Sequence, residues 1–355
     1  MQVRRLQLDR IASATRNAKL DYNVVIGDEI PAVEGVIVAA RVVNQKFQYD
    51  TIENCAGRMI KLRKGDVLAG VLGARQALKG YAGETPAEVQ VGDTLQILNL
   101  GGVIGRCTAA NPDLGDPFDV EVLGCVLVFP KMGDRIGVPA TIAPNDRRAD
   151  KVFGKSPPIL YVAGTSMNSG KTFAATEIVR HLSRRGLHVA AVKLTGVSLM
   201  RDILSMADAG ANPVMDFTDA GVVSTKGATI TAVARELISC VSQSSPDLIV
   251  AELGDGILGN YGVREILSDP QLTRAAAGFV VCAPDPVAAF GAAQLFTETF
   301  GLTIDVFAGP VTDNAVGREY ISSSLNAPAH NARSDIEGLS GIVMAAYERK
   351  AAQNV

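Results

Sequence analysis

The sequence predicts an α/β fold for its second half, with a mostly parallel sheet flanked by helices, preceded by a β-rich barrel or sandwich. Three observations carry this expectation. Up to about residue 150, short apolar runs are interrupted by Gly, Asp or Pro at intervals of about ten residues. Beyond it, unbroken β-branched runs alternate with longer segments, several of helical period. Between the two rhythms lies a polar stretch with proline at both ends, "APNDRRADKVFGKSPP" at 143–158. The expected domains are therefore 1–150 and 151–355.

In the first half the candidate strands are "VEGVIVAARVV", "GDVLAGVLG", "DTLQILNLGGVIG" and "DVEVLGCVLVF". Segments 63–80 and 90–107 echo each other, each with a Gly-Asp turn, an apolar run and a second glycine turn, as a duplicated hairpin does. In the second half the strands are "ILYVAGT", "HVAAVKLTG", "DLIVAEL", "GFVVCAP" and "IDVFAGP". Their apolar residues run on without alternation, which a strand buried on both faces requires.

The stretch "ILYVAGTSMNSGKTFAATEIVRHLSRRG", 159–186, joins the first of these strands to a helix. Ala174, Ile178 and Leu182, with Ala175 and Val179 beside them, share one helical face, and Gly186 is placed to end it. Between strand and helix lies a turn of small residues closing on Gly170, Lys171 and Thr172. Small residues let backbone N–H groups converge on an anion, the helix N-terminus adds partial positive charge, and a lysine there reaches terminal phosphates. Thr172 is then the hydroxyl ligand for Mg²⁺. The spacing departs from G-x-x-x-x-G-K-[ST]: five residues separate Gly164 from Gly170, and Thr165 stands where the first glycine is expected.

That variant resembles the G-T-x-x-x-x-G-K-[ST] loop of the dethiobiotin synthetase, cobyrinate amidating synthetase and MobB-type branch of P-loop proteins, and the resemblance extends over about 157–355. It implies a nucleotide-binding set of Gly164, Thr165, Asn168, Ser169, Gly170, Lys171, Thr172 and Phe173. Lys193, leaving the second strand, corresponds to a lysine that reaches phosphate or substrate; the alternative is an ordinary strand-end lysine. Glu252 in "DLIVAELGDGILG" resembles the carboxylate of a V-E-G-x-G segment that holds Mg²⁺ or its water. Leu253 intervenes here and Asp255 adds a second acid, so either carboxylate can serve. After the second strand, "LTGVSLMRDILSMADAGA" offers Ser198, Arg201, Asp202 and Asp208, with Asp202 the metal candidate and a solvated helix face the alternative. Asn314 in "DVFAGPVTDN" resembles a base-contacting asparagine. Lys226 and Arg264 lie on glycine-containing loops suited to an anionic substrate.

The resemblance implies Mg²⁺ and ATP, with GTP the alternative; no N-K-x-D guanine motif occurs. Ser166 occupies the position where ATPases completed by a partner's lysine carry that residue. The expected function is an ATP-dependent small-molecule ligase or kinase that activates a carboxylate-type substrate, with catalytic roles for Lys171, Lys193 and Glu252. A MobB-like nucleotide-binding accessory or switch protein is the alternative. No glutaminase signature follows the loop domain. A homodimer is expected from the resemblance alone.

A net charge of −3 gives no global reason to bind nucleic acid or an anionic membrane. No window approaches a bilayer span and the N-terminus does not resemble a signal peptide, so a cytoplasmic location is expected. The five cysteines, Cys55, Cys107, Cys125, Cys240 and Cys282, show no C-x-x-C pair and read as buried thiols. His181, His188 and His330 have no cysteine at zinc-ligand spacing.

Overall fold

A computed structural model describes residues 2–143, 156–227 and 229–353. The chain divides into two compact units, and the expected boundary at 143–158 lies mostly outside the described residues. The first unit comprises Met1–Arg147, Val197–Met200 and Thr218–Ser224; the second comprises Arg148–Gly196, Arg201–Phe217 and Thr225–Val355.

The first unit is a barrel rather than a sandwich. Strand Phe118–Val128 pairs with Ile37–Val42, that with Val67–Leu72, that with Val103–Ala110, that with Thr94–Ile97, and the last pairs back with Phe118–Val128. The ring closes, which removes the exposed edges of these five strands. Alternate residues face opposite ways. Val38, Ala40, Leu68, Leu95, Ile97, Ile104, Val120 and Val122 pack in one buried cluster, while Ile37, Ala39, Ala69, Val71, Val103 and Leu123 belong to another.

The echoed Gly-Asp segments prove to be the same turn. Gly65 and Gly92 take left-handed φ of 95° and 93°, and the carboxylates of Asp66 and Asp93 accept from the amides of Arg63 and Gln90 at 3.1 and 2.8 Å. A third copy closes the hairpin after Phe118–Val128, with Gly133 at φ 90° and Asp134 accepting from the amide of Lys131 at 2.9 Å. Only glycine adopts this backbone without strain.

The sequence expectation assigns 197–200 and 218–224 to the second half, yet side-chain hydrogen bonds build these segments into the first unit. Asn99 donates to the Ser198 carbonyl at 2.7 Å, the Met200 amide donates to Glu53 at 2.7 Å, and Asn17 donates to the Thr218 carbonyl at 2.6 Å.

In the second unit, β1 (Ile159–Gly164), β2 (Val189–Thr195), β3 (Val214–Asp216), β4 (Leu248–Leu253), β5 (Ala276–Cys282) and β6 (Val306–Ala308) form a fully parallel sheet in the order β3-β2-β4-β1-β5-β6. The helices are α1 (Lys171–Arg184), α2 (Arg201–Asp208), α3 (Thr229–Ser242), α4 (Val263–Leu267), α5 (Pro270–Arg274), α6 (Pro286–Gln294), α7 (Ala315–Ser324) and α8 (Ile336–Gln353). The apolar face expected for α1 is buried in full, packed with α2 and α8 against β1, β4 and β5. Gly186, at φ 89°, ends α1 as expected. The edge strand β3, three residues long, is not legible as a strand in the sequence.

Among the described residues no helix is long and apolar enough to cross a membrane. Cys125 and Cys282 are buried, as expected of structural thiols, but Cys107 and Cys240 are only partly buried and Cys55 is exposed.

Ile178 anchors α1 beneath the loop that starts it and is fully buried. Ile178→Ala is expected to lower unfolding stability by about 2–5 kcal/mol, measured as a shift of the denaturant midpoint at constant slope.

Candidate phosphate-binding site

The loop between β1 and α1 turns at the carboxyl edge of the parallel sheet, where such sheets place ligands. Asn168 and Gly170 adopt left-handed φ of 62° and 93°, and Gly170 is the residue that starts α1. The first-turn amides of a helix have no intrahelical partner and face outward from its end. Lys171 is 6% exposed, and its Nζ donates to the Ser166 carbonyl at 2.8 Å and to Ser169 Oγ at 3.4 Å, both within the same loop. Burial pushes this ammonium below its ordinary pKa, against the pull of Glu252. The Thr165 hydroxyl oxygen is buried without a hydrogen-bond partner.

Glu252 is the penultimate residue of β4, the neighbour of β1, and is 1% exposed. Its Oε1 accepts from Thr172 Oγ1 at 2.8 Å, while its Oε2 is buried with no hydrogen-bond partner. Burial and the nearby Asp202 push its pKa up to about 7, although Lys193, Thr172 and Lys171 all favour the charged form. The two acids left open make different contacts. Asp255, at φ 67°, packs its carboxylate against Gly259, and Glu252 meets Thr172.

Lys193 and Asp202 do not stand as independent ligands. Lys193 Nζ lies 2.5 Å from Asp202 Oδ2, and both are largely buried. Burial lowers the Lys193 pKa, but the carboxylates of Asp202 and Glu252 outweigh it and hold the ammonium above its ordinary value. Conversely, the pull of Lys193 overcomes burial and holds Asp202 below the usual carboxylate range. Asp202, the expected metal ligand on α2, therefore has an oxygen committed to Lys193. Arg201 is exposed, and Asp208 ends α2.

Asn314 also has a structural duty: its Oδ1 accepts from the Gly317 amide at 3.2 Å, capping α7. Phe173 is exposed on the first turn of α1. Lys226 and Arg264 are exposed, and Ser198 belongs to the first unit. Two glycine contacts went unnoticed in the sequence. A Cβ on Gly256 would lie 2.6 Å from the Thr165 carbonyl oxygen, and one on Gly309 would lie 2.3 Å from that of Ser169. The loop is thus wedged between the segments following β4 and β6. The glycines are visible in "GDGILG" and "AGPV", but only the fold shows what they touch.

Among the described residues no three His, Cys, Asp or Glu side chains converge as a metal cage. A hydroxyl, one carboxylate with an unpartnered oxygen and a phosphate cradle do fit Mg²⁺, which takes one or two protein oxygens and completes its shell with phosphates and water.

No protein-family model and no curated protein matches this sequence. Solved structures that match part of this chain include the signal recognition particle receptor FtsY of Elizabethkingia anophelis, at 13% identity, TM-score 0.37, over 55% of this chain and 66% of that one. The signal recognition particle 54 kDa protein of Aeropyrum pernix K1 in complex with GDP matches at 15% identity, TM-score 0.34, over 56% and 50%. HypB of Helicobacter pylori in complex with nickel matches at 13% identity, TM-score 0.37, over 56% and 89%. This chain therefore spans between half and about two thirds of the two signal recognition particle proteins. None of these three is a protein of the dethiobiotin synthetase branch that the loop resembles.

Two outcomes are expected. Because the folded pKa of Glu252 is raised, its contribution favours the fold at low pH and is lost as pH rises from about 4.5 to about 7. Wild type is thus expected to lose stability relative to Glu252→Gln across that window, on the order of 1.4 kcal/mol per pH unit, and to run parallel to it above; melting curves at stepped pH measure this. Gly309→Ala forces a methyl onto the Ser169 carbonyl at a left-handed backbone position and is expected to destabilise by at least about 1 kcal/mol, read from the same curves at one pH.

Proposed function

We propose that this chain binds a magnesium–nucleoside triphosphate at Gly164–Thr172 and transfers its terminal phosphoryl group to a small anionic acceptor of the carboxylate class. The reaction breaks the bond between the terminal phosphorus and the bridging oxygen and forms a bond from that phosphorus to a carboxylate oxygen, giving a mixed anhydride and a nucleoside diphosphate. The observation that carries the reading is the meeting of Thr172 and Glu252 at 2.8 Å beside a buried lysine whose partners are supplied by its own loop.

Phosphoryl transfer asks little covalent chemistry of a protein; it needs the phosphates cradled, charge neutralised and the acceptor held in line. The amides at the start of α1 and the Thr165 hydroxyl are donors for phosphate oxygens. Lys171 exchanges its contacts within the loop for a terminal phosphate. Thr172 and Glu252 hold the cation, which when bound supplies charge neutralisation at the phosphate oxygens. Lys193, held in its charged form by Asp202 and Glu252, is a cation beside Glu252 for an anionic acceptor. Lys226 is a further cation exposed on a loop of this unit, whereas Arg264, expected on a loop, is exposed on helix α4.

Lys171→Ala is expected to weaken Mg²⁺-nucleotide binding at least tenfold, about the worth of a charged hydrogen bond, without unfolding the protein. Glu252→Gln is expected to leave nucleotide affinity within a few-fold and to lower turnover about a hundredfold. Titration calorimetry and phosphate release, with and without a panel of carboxylate acceptors, measure both. Turnover that no small acceptor stimulates, and that responds only to a protein partner, would replace the transferase reading with that of a nucleotide switch.

A further inference from the structure

The site's own geometry dictates which way a nucleotide lies. Thr172 meets Glu252 at the end of β4, so cation and terminal phosphates lie toward β4. In the sheet β1 has β4 on one side and β5, then β6, on the other. The nucleoside end must therefore run toward β5 and β6. There the segment after β6 meets the loop, with Gly309 against Ser169 and Gly170.

Four residues beyond Gly309, Asp313 is exposed but not free to swing, because its Oδ1 accepts from Asn331 Nδ2 at 2.8 Å. Asn331 is 6% exposed and itself locked: Nδ2 also donates to Thr312 Oγ1 at 3.2 Å, and Oδ1 accepts from the amides of Arg333 and Ser334 at 2.9 and 3.0 Å. The same turn carries Arg333, whose guanidinium lies 5.3 Å from the centre of the Phe173 ring on the first turn of α1. A carboxylate held in place by Asn331 and an aromatic face topped by a cation thus stand on the segments that meet the loop and the first turn of α1.

Resting on the nucleotide reading above, we infer that Asp313 selects the base and that the base is guanine. A carboxylate offers acceptors only. The pairing edge of guanine presents two adjacent donors, N1–H and the 2-amino group, which one carboxylate meets together. Adenine presents a single donor there beside a ring-nitrogen acceptor, which a carboxylate repels. The Phe173 ring and the Arg333 guanidinium supply a planar, polarisable surface on which a base stacks. Asn314 is not available in the same way because its oxygen caps α7, so the selecting residue lies one position earlier than the sequence suggests. The absence of an N-K-x-D motif, which favoured ATP at the level of sequence, is answered by a carboxylate delivered from a different segment.

The test is titration calorimetry with Mg²⁺ and the β,γ-imido analogues of GTP, ATP and XTP, on wild type, Asp313→Asn and Lys171→Ala, with melting curves confirming the fold. Wild type is expected to prefer the GTP analogue by roughly tenfold or more, the discrimination of one good paired contact. Asp313→Asn is expected to lose that preference and to gain affinity for the XTP analogue, whose 2-oxo group accepts from an asparagine amide. Equal or better binding of the ATP analogue by wild type, or a guanine preference that survives in folded Asp313→Asn, overturns the assignment and leaves the phosphate cradle standing. Binding of no nucleotide overturns the cradle and this assignment together, and binding that Lys171→Ala does not alter does the same.

Discussion

A carboxylate buried as deeply as Glu252 must be compensated or stay protonated, and the charge pattern of the second unit is organised around that constraint. Thr172 gives Glu252 a hydrogen bond, and Lys171 and Lys193 give it opposite charge, yet burial and Asp202 still hold its proton affinity high. The two lysines respond differently. Lys193 is tied to Asp202 and kept charged by the acids around it, whereas Lys171, with a carbonyl and a hydroxyl as its nearest partners, is pushed toward neutrality by burial. One is a fixed charge. The other is an incompletely compensated cation, the group with most to gain from an incoming phosphate.

The sheet order turns this local chemistry into a direction. With β4 and β5 on opposite sides of β1, the acid that receives Thr172 and the segment that carries Asp313 sit on opposite flanks of a single loop. On the nucleotide reading proposed above, a ligand with a polyanionic end and a hydrogen-bonding planar end binds one way round. The close approaches of Gly256 and Gly309 to the loop carbonyls keep both flanks tight against it.

Much of this was legible in the sequence because it depends on local patterning. Unbroken apolar runs marked five of the six parallel strands, and the i, i+4 spacing of Ala174, Ile178 and Leu182 marked the buried face of α1. The repeated Gly-Asp pair marked a turn closed by an aspartate on an amide three residues back, visible wherever it recurs. What escaped notice depends on contacts between distant parts of the chain. No local pattern announces that Asn99 holds the Ser198 carbonyl, that Asp202 is taken by Lys193, or that Asn331 orients Asp313 across 18 residues. Edge strand β3, with three residues and an aspartate at its end, has too little apolar length to stand out.

The irregular spacing of the loop also has a physical account. A Cβ at Gly164 would lie 2.2 Å from Ser169 Oγ and 2.7 Å from the aliphatic carbons of Lys171, so the lysine stem lies across the backbone where β1 ends. That crossing requires a glycine at 164, whatever the count to Gly170. Within the loop, Asn168 takes the left-handed backbone that asparagine tolerates better than most residues, and Ser169 turns fully inward beneath Lys171. Thr165 is released from the role of the first glycine, and its hydroxyl is left buried and unpartnered at the base of the loop.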